Sequence, residues 1–159
     1  PVAKMPGSGK PGRDPERTPM QWTGDPGAGF TTGEPWLPIG PDAEVVNVQV
    51  QRDDPKSMLA FYRRLLSLRR AEPALQIGSY LPAGQRGNLF AFLRELDDVC
   101  FLIAVNLGAA RARLTMPRHL DVTGKVVLAT EPERIGAEIS EHINLGPNEG
   151  LIARIKPCD

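Results

Sequence analysis

The feature that most limits the possible folds is a stretch of sequence, positions 12–54, in which apolar residues follow neither helix nor strand periodicity. Pro, Gly, Asp and Thr dominate it, and its large apolar side chains are mostly isolated: Met20, Trp22, Phe30, Trp36, Leu37 and Ile39. An irregular segment of this length is uncommon in a self-sufficient domain, and when ordered it is usually a functional loop packed on a larger body. We therefore expect part of that body to lie outside these 159 residues.

The residues before this stretch, 1–12, are rich in Pro, Gly and Lys. We expect them to be mobile, because such a segment cannot bury enough apolar surface to offset the entropy lost on ordering. The run GSGK at 7–10 resembles part of a phosphate-binding loop, which needs a Gly five residues before the Lys and a hydroxyl residue after it. Met5 and Pro11 occupy those positions, so no nucleotide site is predicted.

A helix is predicted over residues 55–71. An Asp at the helix cap accepts hydrogen bonds from the first-turn amides, and Pro at the first helical position loses no hydrogen bond, which suits Asp53-Asp54-Pro55. Apolar residues then recur at three- and four-residue spacing: Met58, Leu59, Tyr62, Leu65 and Leu66. One face of the helix is therefore apolar, and Pro73 ends the helical segment, which we assign to residues 55–72.

Residues 76–159 change to short extended runs separated by Gly, Pro and charged turns. The runs cover residues 76–81, 88–96, 99–107, 112–116, 125–129 and 150–155, with a weaker one near 135–143. Strands at a spacing of roughly 8–12 residues are typical of an antiparallel β-sandwich. The Asp97-Asp98 pair predicts a hairpin turn between two of these strands.

Charge and composition exclude several kinds of partner. The formal net charge is zero, so the chain lacks the long-range field that attracts nucleic acid or an anionic membrane. No apolar stretch is long enough to span a bilayer, and no secretion signal is apparent. Cys100 and Cys158 fit no disulfide or metal framework, which favours thiols in the cytoplasm. His119 and His142 lack partners at ligand spacing, so neither a metal nor another cofactor is predicted.

The most informative motif is GRDPERTPMQW at positions 12–22. It brings guanidinium, carboxylate, amide and indole groups together on a segment stiffened by two prolines. Neutral sugars are bound through bidentate hydrogen bonds to hydroxyl pairs and through aromatic faces on ring C–H groups, to which these side chains are suited. From the residues alone, a turn with ordinary surface ion pairs is the alternative interpretation.

Further motifs follow in order: GAGF at 27–30, PWLP at 35–38, NVQVQRDDPKSML at 47–59 and FYRRLLSLRR at 61–70. Together with RTPMQW they resemble glycoside hydrolase family 13, the α-amylase superfamily, and more narrowly its α-glucosidase and oligo-1,6-glucosidase branch. The match continues weakly to the end of the chain. Trehalose synthases share RTPMQW but match the GRD lead-in and PWLP less well, so that branch ranks second.

The resemblance implies a mainly β fold class with two barrel elements before the sandwich. Residues 13–54 would be a loop from the C-terminal face of a (β/α)8 barrel, where active sites of such barrels lie. Residues 55–72 would form the last barrel helix, and residues 76–159 a C-terminal Greek-key β-sandwich. The chain is too short to close a barrel, which needs roughly 200 residues or more, so the missing barrel portion is an expected partner.

The resemblance also implies the chemistry, which is retaining hydrolysis of α-glucosidic bonds with two carboxylates about 5 Å apart. In the family these acids precede the region matched here, so the chain would contain no catalytic residue and be inactive alone. Arg17 would pair with an absent Asp and help to hold the glucose of an α-glucoside oligosaccharide or disaccharide. Loop or site support is expected from Arg13, Asp14, Gln21, Trp22 and Phe30, and a loop-structuring role from Glu16.

Two further expectations concern the loop and the sandwich. The family often has Asn where this chain has Gly27, so the family pattern does not predict the local shape of the loop. Exposure of Trp22, Phe30, Trp36 and the helix face would favour self-association. A non-enzymatic sandwich that binds glucan or a partner protein is the alternative function. It requires an exposed aromatic platform, whereas of Tyr80, Phe90, Phe92 and Phe101 the last three lie in runs expected to be buried.

Overall fold

The computed structural model describes residues 16–116 and 122–156. The chain divides into two compact units, Pro1–Phe61 and Tyr62–Asp159, and the division falls inside a helix. The domain boundaries inferred from the sequence stay predictions. The segment 1–12, with its expected mobility, lies outside the described residues, as do His119 and Cys158.

The first unit contains more helix than the sequence pattern indicates. A short 3-10 helix spans Pro26–Gly29, helix α1 spans Val48–Asp53, and helix α2 begins at Met58 and runs to Ala71. Helix α2 therefore starts three residues later than the predicted position 55. The reason is that the Ser57 hydroxyl caps it by accepting from the Ala60 amide at 3.1 Å, whereas the Asp54 carboxylate accepts from the Lys56 amide in the preceding turn.

The apolar stripe expected on α2 is present, but its residues are not buried. Met58, Tyr62 and Leu66 are 64%, 54% and 48% exposed, and α2 has no fully buried residue. Within the second unit the end of this helix is tied to the sheet, where Glu72 Oε1 lies 3.5 Å from Arg154 Nη1. The guanidinium of Arg154 in turn lies over the Phe101 ring.

As far as the described residues show, the second unit consists of α2 from Tyr62 onward, helix α3 at Ala74–Ile77 and eight strands. The strands are β1 (Ser79–Arg86), β2 (Leu89–Leu96), β3 (Val99–Asn106), β4 (Ala112–Thr115), β5 (Gly124–Ala129), β6 (Glu138–Ile139), β7 (His142–Leu145) and β8 (Gly150–Ile155). Six of them form one sheet in the order β1-β2-β3-β8-β5-β6, and β4 pairs with β7 in a second sheet. Every pairing is antiparallel.

One hydrophobic core is shared by the two sheets. It combines residues such as Leu93, Leu102 and Ala153 of the large sheet with Leu114 and Ile143 of the small one. Alternation along the strands produces this arrangement, because every second side chain of β2, β3 and β8 points to the same face. The prediction of a mainly β, antiparallel fold is thus confirmed, whereas the Greek-key sandwich and the barrel origin of α2 stay predictions.

The strand limits agree with the sequence to within a residue except in the first strand and the weak run; the strand predicted to end at residue 81 continues as β1 to Arg86. Residues 76 and 77, predicted as strand, belong to α3, because Pro73 opens a new helical turn in which the Ile77 amide donates to the Pro73 carbonyl. The weak run near 135–143 is divided between β6 and β7. The predicted hairpin at Asp97-Asp98 is confirmed, with Leu96 paired to Val99 and Asp97 at a φ of 51°.

The aromatic residues of the strands lie on the face of the large sheet opposite the core. Phe101 is fully buried, as expected, but the prediction that Phe90 is buried is wrong, because its side chain is 38% exposed and Phe92 is only partly buried. Both alternate with the core residues Leu89, Ala91 and Leu93 and therefore point outward. Helix α3 covers part of this face, where the Arg94 guanidinium donates to the carbonyls of Ala74 and Gln76.

Candidate substrate-binding loop

The predicted sugar-binding motif is anchored through its backbone, all within the first unit. The carbonyls of Gln21 and Trp22 accept hydrogen bonds from the amides of Val48 and Gln49, at 2.9 and 3.0 Å. These amides belong to the first turn of α1, where amides have no partner inside the helix. The end of the RTPMQW motif therefore provides hydrogen-bond acceptors for the first amides of α1, and these hydrogen bonds fix the path of the loop.

Asn47 directly precedes α1 and is buried although it is polar. Its side-chain oxygen accepts from the Val50 amide at 2.9 Å, and its side-chain nitrogen donates to the Ala43 carbonyl at 2.8 Å. The first contact is a helix N-cap, and the second holds the preceding turn. The sequence pattern alone does not single out this residue. The signal that could have found it is an Asn at the start of the NVQVQRDD motif, which is a preferred cap position.

Replacement of Asn47 by alanine is expected to destabilise the first unit by about 1–2 kcal/mol, because it removes an N-cap and a buried hydrogen bond. Urea unfolding followed by tryptophan emission measures this, since Trp22 and Trp36 both lie in that unit. Gln49→Ala is the matched control, because Gln49 is exposed on the same helix and alanine is a better helix former. Equal midpoints for the two variants would contradict the anchoring role.

Gln21 is engaged inside the loop. Its side-chain nitrogen donates to the Val46 carbonyl, and its side-chain oxygen occupies the place where a Cβ on residue 40 would stand. Only glycine fits at position 40 without moving this amide. The arrangement is compatible with the supporting role predicted for Gln21.

Trp22 and Phe30 stand on either side of a tight turn. The Trp22 amide donates to the Ala28 carbonyl at 2.9 Å, and the Phe30 amide donates to the Gly27 carbonyl at 2.9 Å. Gly27 has a φ of 81°, in the left-handed region that glycine and asparagine tolerate best. Gly27 thus has the backbone conformation that the Asn common in the family would also tolerate, and this departure from the family pattern does not require a different loop path.

The side chains of the motif project outward while its backbone is tied down. Pro19 is buried, whereas Arg17, Met20 and Trp22 are exposed, the last two by 50% and 48%. Trp36, from the PWLP motif, is 84% exposed. Arg13 and Asp14 lie outside the described residues. The predicted exposure of Trp22, Phe30 and Trp36 is confirmed, and it leaves this loop with an unusually apolar surface.

The chemistry available from these groups is binding. An exposed guanidinium and indole can contact sugar hydroxyl groups and ring C–H faces. Within the described ranges 16–116 and 122–156, no cluster of three or more His, Cys, Asp or Glu side chains could hold a metal ion. His142 is exposed on β7. Over the same part of the chain, no helix is both long and apolar enough to cross a bilayer.

Comparison with known proteins places this loop in a family. The profile of the alpha-amylase catalytic domain matches residues 3–78. The chain is 30% identical over 146 residues to oligo-1,6-glucosidase of Parageobacillus thermoglucosidasius, covering 91% of this chain and 26% of that protein. It therefore spans about a quarter of the length of the curated relatives it matches.

Solved structures agree with this match. The crystal structure of the trehalulose synthase from Pseudomonas mesoacidophila has a TM-score of 0.83 and 33% identity, covering 91% of this chain and 26% of that one. A mutant of the same enzyme in complex with glucose superposes equally well, with a TM-score of 0.83 at 33% identity over the same shares of the two chains. The sequence and the structure together make this chain an α-glucosidase-like portion of glycoside hydrolase family 13, the α-amylase family.

Proposed function

We propose that this chain is the C-terminal portion of an α-glucosidase-type glycoside hydrolase, in which the RTPMQW loop forms one wall of the glucose pocket. The observation that carries the proposal is the loop itself: its end is held by the first-turn amides of α1, a helix that Asn47 caps, while Arg17, Met20 and Trp22 remain exposed. A rigid backbone with outward polar and aromatic groups is what a binding wall needs, because the side chains are positioned before the sugar arrives.

In this proposal Arg17 pairs with a carboxylate that lies outside this sequence, and the pair helps to hold the glucose. A guanidinium presents paired donors in one plane, which suits both a carboxylate and vicinal hydroxyl groups. Arg13 and Asp14 support the loop from its start, and Gln21, Trp22 and Phe30 from its end. The nucleophile and the general acid come from the part of the barrel that this sequence lacks, so the chain alone has no hydrolytic activity.

The same proposal accounts for the architecture. Residues 13–54 are then the irregular loop at the C-terminal face of the barrel, 55–72 its last helix, and 76–159 a Greek-key β-sandwich. The position of β8 between β3 and β5 supports the Greek-key connection, because a strand late in sequence returns to the middle of the sheet. The exposed apolar stripe on α2 supports a barrel helix whose partner strands are absent.

The substrates proposed for the whole enzyme are α-glucoside oligosaccharides or disaccharides. Support comes from the relatives, which include an oligo-1,6-glucosidase, and from the related synthase that was crystallised with glucose. A non-enzymatic glucan-binding module is not favoured. Its platform would be Tyr80, Phe92 and Phe90, but neighbouring rings in this row are tilted by 31° and 43°, so they offer no flat face to a sugar chain.

We also assign the protein to the cytoplasm. The thiol of Cys100 is fully buried between the two sheets, where a small apolar side chain packs well and a disulfide is not needed. No nucleic-acid or membrane partner is proposed, because the chain has a formal net charge of zero.

The test compares the isolated chain with the product of the complete reading frame on a chromogenic α-glucoside. We expect turnover only from the complete protein, since two carboxylates must flank the scissile bond. The isolated chain is also expected to sediment as self-associated species, because Trp22, Phe30 and Trp36 leave an apolar surface open.

Contaminating glucosidase is controlled by following activity through dilution and a second purification step. Turnover that stays proportional to this chain would contradict the proposal that the reactive acids lie elsewhere. A monodisperse monomer would contradict the proposed self-association and leave the activity result to decide the function.

A further inference from the structure

A cleft in the second unit has a composition that neither the sugar site nor the core explains. Its volume is about 520 Å³, within the range of roughly 300–1,000 Å³ typical of small-molecule sites. The side chains and backbone that line it come from the end of the small sheet and from the turns beside it: Arg111, Arg113, Arg134, Asn144, Gly146 and Glu149. Three guanidinium groups thus face one concave surface of a chain whose overall charge is zero.

Among the residues that the structure describes, only one of these guanidinium groups has a carboxylate partner. Arg134 Nη1 lies 3.6 Å from the buried carboxylate oxygen Oε1 of Glu149 and donates to the Asn144 carbonyl at 3.0 Å. The other oxygen of Glu149 accepts from the Gly146 amide, which holds the carboxylate in place. Arg134 is therefore a fixed part of the wall, and its charge is balanced by Glu149.

Arg111 and Arg113 are different. Both are exposed, and neither guanidinium has a hydrogen bond or ion pair within residues 16–116 and 122–156. They lie two positions apart along β4 and its lead-in, while Ala112 and Leu114 point to the core, so their side chains share the outer face. Three arginines against one glutamate leave two positive charges at this cleft.

We propose that this cleft binds a small phosphate dianion, either inorganic phosphate or a phosphate monoester. A phosphate group carries about −1.5 to −2 charge at neutral pH, which matches the two guanidinium groups that remain unbalanced. The planar fork of each guanidinium fits two phosphate oxygens at once. A monovalent carboxylate would satisfy only half of the charge. The proposal does not depend on the glucosidase assignment, because it concerns other residues in the other unit.

The test titrates the full chain with inorganic phosphate, phenyl phosphate and acetate at constant ionic strength set by sodium chloride. Amide chemical shifts in NMR spectra give both the affinity and the location. We expect saturable shifts at residues 111–113 and at Gly146 with both phosphates, and at least tenfold weaker binding of acetate. Tighter binding of phenyl phosphate than of inorganic phosphate would identify an organic monoester as the ligand type, and the reverse order would identify the free ion.

Arg113→Gln is expected to raise the Kd for phosphate by roughly tenfold or more, because a hydrogen bond to a charged group is lost. Arg86→Gln is the matched control, because it removes the same charge from another exposed arginine of the second unit. Arg86 lies at the end of β1 and does not line the cleft. Arg111→Gln provides a second variant. The proposal is overturned if phosphate changes the amide shifts of the cleft residues no more than the same ionic strength of sodium chloride does, or if acetate binds as tightly as phosphate. It is also overturned if the Arg86 variant loses as much phosphate affinity as the Arg113 variant.

Discussion

Replacement of Arg17 by alanine in the complete enzyme is expected to lower kcat/KM for α-glucosides by about 100-fold, the effect of losing hydrogen bonds to a charged partner in a closed site. The exposure of Arg17 in this chain means that the substitution removes little internal packing. A loss of that size would therefore come from the proposed glucose pocket and not from lost packing within this chain. Initial-rate kinetics on a chromogenic α-glucoside measure it.

Two further variants make this result interpretable. Arg17→Lys keeps the charge but not the planar pair of donors, so an intermediate loss is expected if bidentate geometry matters. Arg86→Ala removes an exposed arginine from the second unit and is expected to keep the parent kcat/KM. A value of kcat/KM for Arg17→Ala within twofold of the parent would remove this residue from the pocket and, with it, the proposed role of the loop.

Replacement of Leu102 by alanine is expected to destabilise the second unit by about 2–5 kcal/mol, because it empties space in a core that cannot fully collapse. Leu102 is 0% exposed, lies in the central part of β3 and belongs to the cluster shared by both sheets. Urea unfolding followed by far-ultraviolet circular dichroism measures the loss, since all the described strands lie in this unit and both tryptophans lie in the other.

Leu107→Ala is the matched control for this substitution. Leu107 follows β3 directly but is 71% exposed, so its truncation is expected to change the unfolding free energy by less than about 0.5 kcal/mol. Similar losses for the two leucine variants would mean that the core is not where the structure places it.

Sequence patterns predicted the middle of each element better than its ends. The alternation in residues 88–96 and 99–107 located β2 and β3, because one face of each strand packs on a single core. The start of α2 was missed because two residues compete to cap it, Asp54 and Ser57, and only three-dimensional contacts decide between them. Phe90 was misjudged because an apolar run does not reveal that only one face of the sheet is fully covered.

The candidate site was predicted less completely than the fold. The motif at 12–22 indicated Arg17, Gln21 and Trp22 as candidates, since those residue types carry groups that can bind sugars, and their roles stay predictions. Asn47 was missed because a cap is recognised only once the helix behind it is known, and α1 is just six residues long. The arginines of the phosphate cleft were missed because residues 111, 113 and 134 are brought together by strand pairing and a distant turn.

The burial of Cys100 makes its thiol a reporter of local opening of the large sheet. Its thiol lies in β3, between the partner residues Glu95 on β2 and Ile155 on β8, and no part of it is exposed. A thiol-reactive reagent can reach this sulfur only after a neighbouring strand has separated, so its rate of modification reports how often the large sheet opens. With Cys158 changed to serine, Cys100 is the one remaining thiol, so its modification rate measures the opening of the sheet without an introduced cysteine.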